Sequence, residues 1–332
     1  MESLPKFIIV IGASAGGADA LRELLLQLGK GEQLAVFIVL HLSGKGISEF
    51  LMLHLQKYTS LQCKVAEDKE IIQQGRLYVA PADQHLLISD GIVKLGRGPA
   101  ENRWRPSINV LFRSAAAAYT DRVIGIILTG LLDDGTAGMS AIMRSGGTSI
   151  VQDPNEASFP DMPLSVLDNM NVDYCVPLAE MGTVVAEILK NKEVGKAVSP
   201  ADVISEAEIA EKLFTAIPDM EVIGEQTVYA CPDCGGGLWK IHSDDNTKRY
   251  RCHVGHVFSE KNLWEKQGES LESTLWVALR MMEERHNLLA RISKDERRKG
   301  LHTLASAKEI RLAELQVHID KLKELLFSIQ NK

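Results

Sequence analysis

The sequence has no long apolar run, no excess of basic residues and few cysteines, and each absence excludes a class of protein. None of its 332 residues belongs to a run of about 18 apolar residues, the length of a membrane span. The N-terminus lacks the basic and apolar regions of a signal peptide. The net charge of −7 argues against a dedicated nucleic-acid-binding protein, which usually carries a basic face. We therefore expect a cytoplasmic protein that neither inserts into membranes nor binds nucleic acid.

The five cysteines do not suggest a disulfide framework. Their number is odd, and three of them, Cys231, Cys234 and Cys252, lie close together late in the chain. This distribution is typical of a metal site in a reducing compartment.

Short apolar runs alternate with helical patterns up to about residue 190. The predicted strands are "FIIVI" (7–11), "LAVFIVLHL" (34–42), "GRLYVAP" (75–81), "VIGIILTG" (123–130) and "TSIVQD" (148–153). Nearly all-apolar strands interleaved with helices predict an α/β fold, with a doubly wound, mostly parallel, Rossmann-like sheet covered on both faces. Residues 80–95 alternate more strongly around Asp90-Gly91 and predict an antiparallel excursion.

The composition changes after Leu189, and three further segments are expected beyond a large domain over 1–190. These are a linker with a short amphipathic helix (191–227), a cysteine-containing module (228–258) and a helical hairpin or coiled coil (259–332). In the last segment apolar residues recur at spacings of three and four, namely Leu271, Leu275, Ala278 and Met282, then Leu312, Leu315, Ile319, Leu322, Leu326 and Ile329. The pattern fits either two helices packed within one chain or a homodimer.

The turn Gly12-Ala13-Ser14-Ala15-Gly16 joins the first predicted strand to a helix. It fits the GxSxG pattern of a nucleophile elbow, in which a sharp turn exposes a serine. A glycine-rich turn in this place can instead cradle a phosphate or serve structure alone. A dinucleotide site is disfavoured, because the second strand ends in "VLHLS" without the acidic residue that binds the ribose.

Other polar residues follow neighbouring predicted strands. His41 ends the second strand, and Asp133-Asp134 follow "VIGIILTGLL". Because the carboxyl ends of parallel strands share one edge, Ser14, His41 and Asp134 are expected to meet there as nucleophile, base and orienting acid. Asp133 is expected to be a solvated or capping residue, and His85 could line the same cleft. A purely structural role for His41 is the alternative.

Six motifs together carry a family resemblance: "IGASAGG", the "HL" after the second strand, "GRLYVAPADQHL", "RWRPSINVLF", "ILTGLLDDGTAGM" and "FPDMP". Over about residues 6–190 the chain resembles the catalytic domain of the CheB-type chemotaxis methylesterases. The resemblance implies hydrolysis of glutamate methyl esters on chemoreceptors to glutamate and methanol, with glutamine deamidation in many members.

The resemblance also implies roles for individual residues. It assigns Ser14, His41 and Asp134 to the triad, and the backbone N–H groups of Ala15 and Leu131 to the oxyanion hole. Arg105 would contact an acidic receptor surface or pair with an acid in the fold. No cofactor is expected for catalysis, and the partner would be a methylated chemoreceptor or a similar signalling protein.

One departure concerns regulation, because the familiar chemotaxis esterase carries an N-terminal receiver domain. Here the first predicted strand begins at about residue 7, so we expect a stand-alone esterase. Two other functions are weighed against this one: a non-catalytic signalling scaffold that binds through the tail, and a dinucleotide-dependent oxidoreductase.

The late cysteines form a CxxC…CxxxH pattern of Cys231, Cys234, Cys252 and His256. Four such ligands predict a closed, tetrahedral, structural Zn²⁺ site in a zinc-ribbon-like module. Buried free thiols are the alternative, and His253 could replace His256 as a ligand.

Overall fold

The computed structural model describes residues 4–29, 33–41, 47–195, 197–212, 217–242 and 247–330. The chain forms two compact units, Met1–Asn262 and Leu263–Lys332. The predicted division into four segments groups residues differently, and it remains a prediction.

Up to residue 191, the described part of the first unit contains nine strands and six α-helices. The strands are β1 (Phe7–Ala13), β2 (Leu34–Leu40), β3 (Gln62–Val65), β4 (Arg76–Val79), β5 (His85–Ser89), β6 (Ile92–Gly96), β7 (Val123–Ile127), β8 (Thr148–Gln152) and β9 (Tyr174–Val176). The helices are α1 (Gly17–Gln27), α2 (Ile47–Leu55), α3 (Ile108–Tyr119), α4 (Thr136–Arg144), α5 (Asp161–Asn169) and α6 (Leu178–Asn191).

Seven of these strands form one parallel sheet in the order β3-β4-β2-β1-β7-β8-β9. Strands β1, β2 and β7 are buried along their whole length, which explains their unbroken apolar sequences. Helices cover both faces over two separate apolar cores. The predicted doubly wound α/β fold is confirmed. The chain reverses direction across the sheet at β1, and ligands bind at such switch points in open α/β sheets.

The predicted antiparallel excursion is the hairpin of β5 and β6, which pairs His85 with Gly96 and Ser89 with Ile92. Its turn contains Asp90 and Gly91, both with positive φ. Left-handed backbone at both turn residues is the geometry that suits a two-residue hairpin.

The rest of the first unit contains the helices α7 (Ala201–Glu211) and α8 (Ile217–Ile223) and the strands β10 (Gly224–Ala230), β11 (Gly237–Ile241), β12 (Arg249–Cys252) and β13 (Val257–Ser259). The four strands form an antiparallel sheet in chain order, here called the cysteine module. Its small core contains Met220, Ile223, Trp239 and Ile241 with Ile209 of α7.

The second unit contains most of α9 (Glu260–Arg298) and all of α10 (His302–Gln330). Leu279, Ile319 and Leu326 form its buried core, flanked by Leu275, Met282, Leu315 and Leu322. Leu271, predicted to face this core, is exposed, whereas Leu279, which was not among the predicted residues, is buried. The predicted hairpin is present, although α9 continues through most of the predicted break at 294–300. The side chain of Ile329 lies outside the described residues.

No helix in the described ranges combines the length and the apolar character needed to cross a membrane.

Candidate active site

Ser14 lies on the turn between β1 and α1, at the carboxyl edge of the parallel sheet. Its backbone N–H donates to the carbonyl of Thr129 at 3.0 Å, and its own carbonyl accepts from Gly17 N–H at 2.9 Å. Gly16 precedes α1 with φ of +74°, a left-handed conformation that glycine adopts without strain. The turn therefore presents a half-buried serine immediately before the N-terminus of a helix.

The loop after β7 braces this turn. Thr129 Oγ1 donates to the carbonyl of Ala15 at 3.1 Å and accepts from Phe159 N–H at 2.9 Å. A Cβ on Gly130 would lie 2.8 Å from Ser14 Cβ and 2.1 Å from Met162 Sδ. A side chain at position 130 would therefore collide with Ser14 and Met162, so glycine fits there.

His41 and Asp134 form a direct, buried pair. His41 Nε2 lies 2.9 Å from Asp134 Oδ2, and both side chains are almost fully buried. Because the carboxylate accepts, Nε2 carries the proton and Nδ1 keeps a free lone pair. Nδ1 is buried without a hydrogen-bond partner among the described residues. It is therefore available as a base.

Trp104 covers one face of the histidine ring. The two ring centroids lie 4.1 Å apart and the planes differ by 5°, a stacked arrangement. This contact limits the rotation of the imidazole and keeps water from one of its faces. The pattern "RWRPS" carried the family resemblance, but nothing in it singled out Trp104.

Asp134 is held by the N-terminus of α3. Its Oδ1 accepts from Ser107 Oγ at 2.9 Å and from the backbone N–H groups of Asn109 and Gly135. Its Oδ2 accepts from Ile108 N–H at 2.7 Å as well as from His41. These donors fix the orientation of the Asp134 carboxyl group at the positive end of the helix.

His85 binds the backbone directly before α3, the helix whose N-terminus holds Asp134. Its Nδ1 accepts from Ser107 N–H at 3.2 Å, so Nε2 carries the proton and donates to the Pro99 carbonyl at 2.9 Å. Burial lowers the pKa of His85 below its usual value, which agrees with a neutral ring. The expectation that His85 lines the cleft with Ser14 is wrong, because its place is beneath the start of α3.

A cavity of about 650 Å³ opens over Ser14 and His41. We call it the catalytic cavity; Ala15, Trp104, Leu131, Leu132 and Asp161 are among its lining residues. Within the described part of the chain, no protein acceptor is found for the backbone N–H of Ala15 or Leu131. Leu132 has φ of +67°, an uncommon conformation for a branched residue that concentrates at functional sites. The assignment of both N–H groups to an oxyanion hole stays a prediction.

The Arg105 side chain binds other groups of the protein and does not line the catalytic cavity. Its Nε donates to Asp83 Oδ1 at 2.9 Å, and its NH1 donates to the Gly98 carbonyl at 2.8 Å. This is the second of the two expected roles, pairing with an acid in the fold.

Asp133 differs from its expected role as a solvated or capping residue. It is half-buried and accepts hydrogen bonds from Ser259 Oγ and, at 2.6 Å, from Asn262 Nδ2. Burial raises the pKa of the Asp133 carboxyl, although both hydrogen bonds act in the opposite direction. The end of the cysteine module thus contacts the residue adjacent to Asp134.

The ligand atoms of Cys231, Cys234, Cys252 and His256 all lie within 4.8 Å of one another and could hold a metal ion. Cys234 Sγ lies 3.8 Å from Cys252 Sγ, and His256 Nδ1 lies 3.7 Å from Cys231 Sγ and 3.5 Å from Cys252 Sγ. Tetrahedral Zn²⁺ with bonds of about 2.3 Å to sulfur and 2.0–2.1 Å to nitrogen requires S···S and S···N edges of about 3.8 and 3.6 Å. The residues present fit that ion, and His256 rather than His253 completes the set.

Comparison with known proteins identifies the family. The family model of the CheB methylesterase matches residues 9–185, slightly more than half of the chain. The chain belongs to the CheB methylesterase family.

Individual relatives agree with this family. The Thermotoga maritima CheB methylesterase catalytic domain is 32% identical, with a TM-score of 0.52, and the match covers 55% of this chain and 98% of that one. A Leptospira interrogans relative is 38% identical over 184 residues, 55% of this chain and 95% of that protein. The Methanosarcina mazei protein-glutamate methylesterase/protein-glutamine glutaminase 2 is 34% identical over 55% of this chain but 52% of its own length.

The CheB match ends before the cysteine module, so several contacts around the site come from outside the family region. Ser259 and Asn262, which bind Asp133, are the clearest examples. Sequence reasoning missed them, together with Trp104, Thr129, Gly130 and Asp161. For Ser107 the N-cap position before α3 could be predicted, but its hydroxyl makes no capping hydrogen bond and donates to Asp134 instead.

Proposed function

We propose that this chain is a serine hydrolase that removes methyl esters from glutamate side chains of signalling proteins. The observation that carries the proposal is the His41–Asp134 pair, which leaves His41 Nδ1 without a protein partner among the described residues, while His41 and Ser14 line the same cavity. Family membership supports an esterase over a non-catalytic scaffold, and it contradicts a dinucleotide-dependent oxidoreductase.

The reaction follows the logic of acyl transfer. Ser14 Oγ attacks the ester carbonyl carbon while His41 Nδ1 accepts the hydroxyl proton, and Asp134 stabilises the imidazolium through Nε2. The tetrahedral intermediate collapses, the C–O bond to the methoxy group breaks, and His41 returns the proton so that methanol leaves. Water then attacks the acyl-enzyme with the same proton transfers, which releases glutamate and restores Ser14.

The negative charge on the tetrahedral oxygen needs fixed donors. Ala15 and Leu131 line the catalytic cavity, and their backbone N–H groups lack protein acceptors within the described ranges, which supports their assignment to the oxyanion hole. The N-terminus of α1 adds a favourable dipole beside Ser14.

We infer that the substrate is a methylated chemoreceptor or a receptor-like signalling protein. Relatives such as the Methanosarcina mazei protein are named for both methylesterase and glutaminase activities. The same attack on a glutamine side chain would release ammonia instead of methanol, so deamidation is proposed as a second activity.

The test is release of methanol from a methylated receptor fragment by the full-length chain. We expect methanol and a matching mass loss at the methylated glutamates with the native protein, and neither with Ser14→Ala. If folded native protein releases methanol neither from the receptor fragment nor from the small ester N-acetyl-glutamate γ-methyl ester, the proposal is wrong.

We also propose that Cys231, Cys234, Cys252 and His256 hold a structural Zn²⁺. Nearby charge supports this assignment, because the buried guanidinium of Arg251 lies close enough to Cys252 to interact with it electrostatically. Zn²⁺ with three thiolates and a neutral histidine carries one net negative charge, which suits a cationic neighbour. Bound Zn²⁺ would fold and hold the small module and take no part in the ester chemistry.

Metal analysis checks this assignment. We expect about one Zn²⁺ per chain, a Zn²⁺-free Cys234→Ser variant, and a lower melting temperature after chelation because the module loses its cross-link. Cys175→Ser is the matched control, since this exposed cysteine lies outside the cluster. Native protein without bound metal, or equal metal content in both variants, would contradict the assignment.

We further propose a cytoplasmic location, where a reducing environment keeps these cysteines available as ligands. A homodimer through the C-terminal helices also remains a proposal. Exposed apolar side chains along α9, including Trp276, Met281 and Leu288, support it, and light scattering would measure it.

A further inference from the structure

The cysteine module is fixed to the α/β domain by a chain of buried ion pairs. Arg249 of β12 binds Glu206 of α7 through two bonds of 2.7 Å, and Glu206 lies 3.4 Å from Arg113 of α3. Arg113 in turn binds Glu101 at 2.7 and 3.1 Å. All four residues are between 2% and 7% exposed, so the connection is a built part of the interior.

Backbone pairing continues this attachment beside the active site. Asn102 N–H donates to the Val257 carbonyl at 2.9 Å, and Ser259 N–H donates to Asn102 Oδ1 at 3.0 Å. Ser259 and Asn262 then bind Asp133. The module therefore has one defined position relative to α4, α5 and the loop that carries Trp104.

This position creates a second cavity of about 570 Å³, here called the module groove. One wall is a stripe of α5 with Asp161, Leu164, Ser165 and Asp168, which share one helix face by their spacing. The opposite wall belongs to the end of the cysteine module and the start of α9, including Lys248 and Lys261.

The module groove adjoins the catalytic cavity. Leu132 and Asp161 line both of them. The reacting side chain of a protein substrate enters the catalytic cavity, but its main chain must continue on both sides. Leu132 and Asp161, which line both cavities, mark the direction in which the substrate main chain can continue on one side of the reacting glutamate.

We propose that the module groove binds the segment of the substrate polypeptide adjacent to the reacting glutamate. This inference rests on the proposed esterase function and assigns the cysteine module a role in substrate recognition. The exposed carboxylate of Asp168 on one wall and the exposed ammonium of Lys261 on the other suit a segment with side chains of both charges. The groove thereby contributes to binding of protein substrates and leaves the chemical step unchanged.

The test compares two substrates of different length. One is the small ester N-acetyl-glutamate γ-methyl ester, which fills only the catalytic cavity. The other is a helical peptide of about 20 residues, about 30 Å long, with a central γ-methyl glutamate flanked by alternating lysines and glutamates. The small ester measures the chemistry alone, and the peptide measures chemistry and groove together.

Two groove variants are informative. Leu164→Trp places a bulky side chain in the groove at a position that is 42% exposed, so folding should be unaffected. It should raise KM for the peptide about tenfold, as a lost binding contact of moderate strength does. Asp168→Lys combined with Lys261→Glu should raise KM for the peptide about two- to fivefold, which corresponds to the energy of an exposed charge pair. Neither change should alter kcat or KM for the small ester.

Glu187→Lys combined with Lys190→Glu is the matched control, because both residues are exposed on α6 and lie outside the groove. Peptide KM values that rise no more in the groove variants than in this control would overturn the inference. An equal change for both substrates would also overturn it, because the groove would then affect the chemistry itself. Absence of hydrolysis of both substrates by the native protein would instead contradict the esterase function.

Discussion

Replacing Asp134 with asparagine should lower kcat for methyl-ester hydrolysis by about 10⁴. Both oxygens of this carboxylate accept hydrogen bonds. Oδ1 accepts from Ser107 Oγ and from two backbone N–H groups. Oδ2 accepts from Ile108 N–H and from His41 Nε2. An asparagine that keeps its oxygen toward Ser107 turns its amide toward His41. Nε2 must then accept, so the proton moves to Nδ1 and the free lone pair of Nδ1 is lost.

The neighbouring acid offers a matched control. Asp133→Asn removes the same charge, but its partners are Ser259 and Asn262 rather than His41, so kcat should remain close to that of the native protein. Nitrogen NMR of His41 adds a readout that general destabilisation would not move, since it reports which ring nitrogen carries the proton. Native activity in Asp134→Asn with an unchanged tautomer would show that Asp134 does not orient the base.

Strands buried on both faces were predictable, because their sequences are uninterrupted apolar runs. The five predicted strands correspond to β1, β2, β4, β7 and β8. β3, "QCKV", and β9, "YCV", were not predicted; both are short edge strands with half-exposed side chains. At a sheet edge the burial that produces an apolar run is missing, so neither segment differs from a loop in its composition.

The meeting of His41 and Asp134 was predictable for a topological reason. Both residues follow strands of a parallel sheet, and the carboxyl ends of such strands share one edge. The stacking of Trp104 on His41 was not predictable, because it depends on a loop whose path is set by β13, more than a hundred residues later. Contacts between segments so far apart in the sequence cannot be predicted from local sequence patterns.

The buried ion pairs illustrate the same limit. Glu101, Arg113, Glu206 and Arg249 have the sequence appearance of ordinary surface charges, and Glu206 lies in a short amphipathic helix. Only the packing of α7 and β12 against α3 removes them from water. Their burial is a property of the tertiary structure, and so is the groove that depends on it.

Replacing Glu206 with alanine should lower the free energy of unfolding by about 3–5 kcal/mol. The change leaves Arg249 without its bidentate partner and Arg113 without its second acid, while both guanidinium groups stay buried. Burial by itself raises the pKa of Glu206, but Arg249 and Arg113 outweigh it and lower that pKa from 4.5 to about 2. Such a shift corresponds to about 3 kcal/mol of preference for the ionised form. Urea unfolding followed by tryptophan fluorescence measures the loss.

The pH dependence of unfolding separates this ion pair from simple loss of packing. A carboxyl whose pKa is lowered in the folded state stabilises fully above its unfolded pKa, and this contribution is lost as pH falls from about 4.5 toward 2. Native protein should therefore lose stability over this window, and Glu206→Gln, which keeps the shape without the charge, should lose less. Glu208→Ala, an exposed change on the same helix, should behave like the native protein. Equal pH profiles for the native protein and Glu206→Gln would show that the ionised carboxylate does not hold the cysteine module in place, and the fixed second wall of the groove would lose its main support.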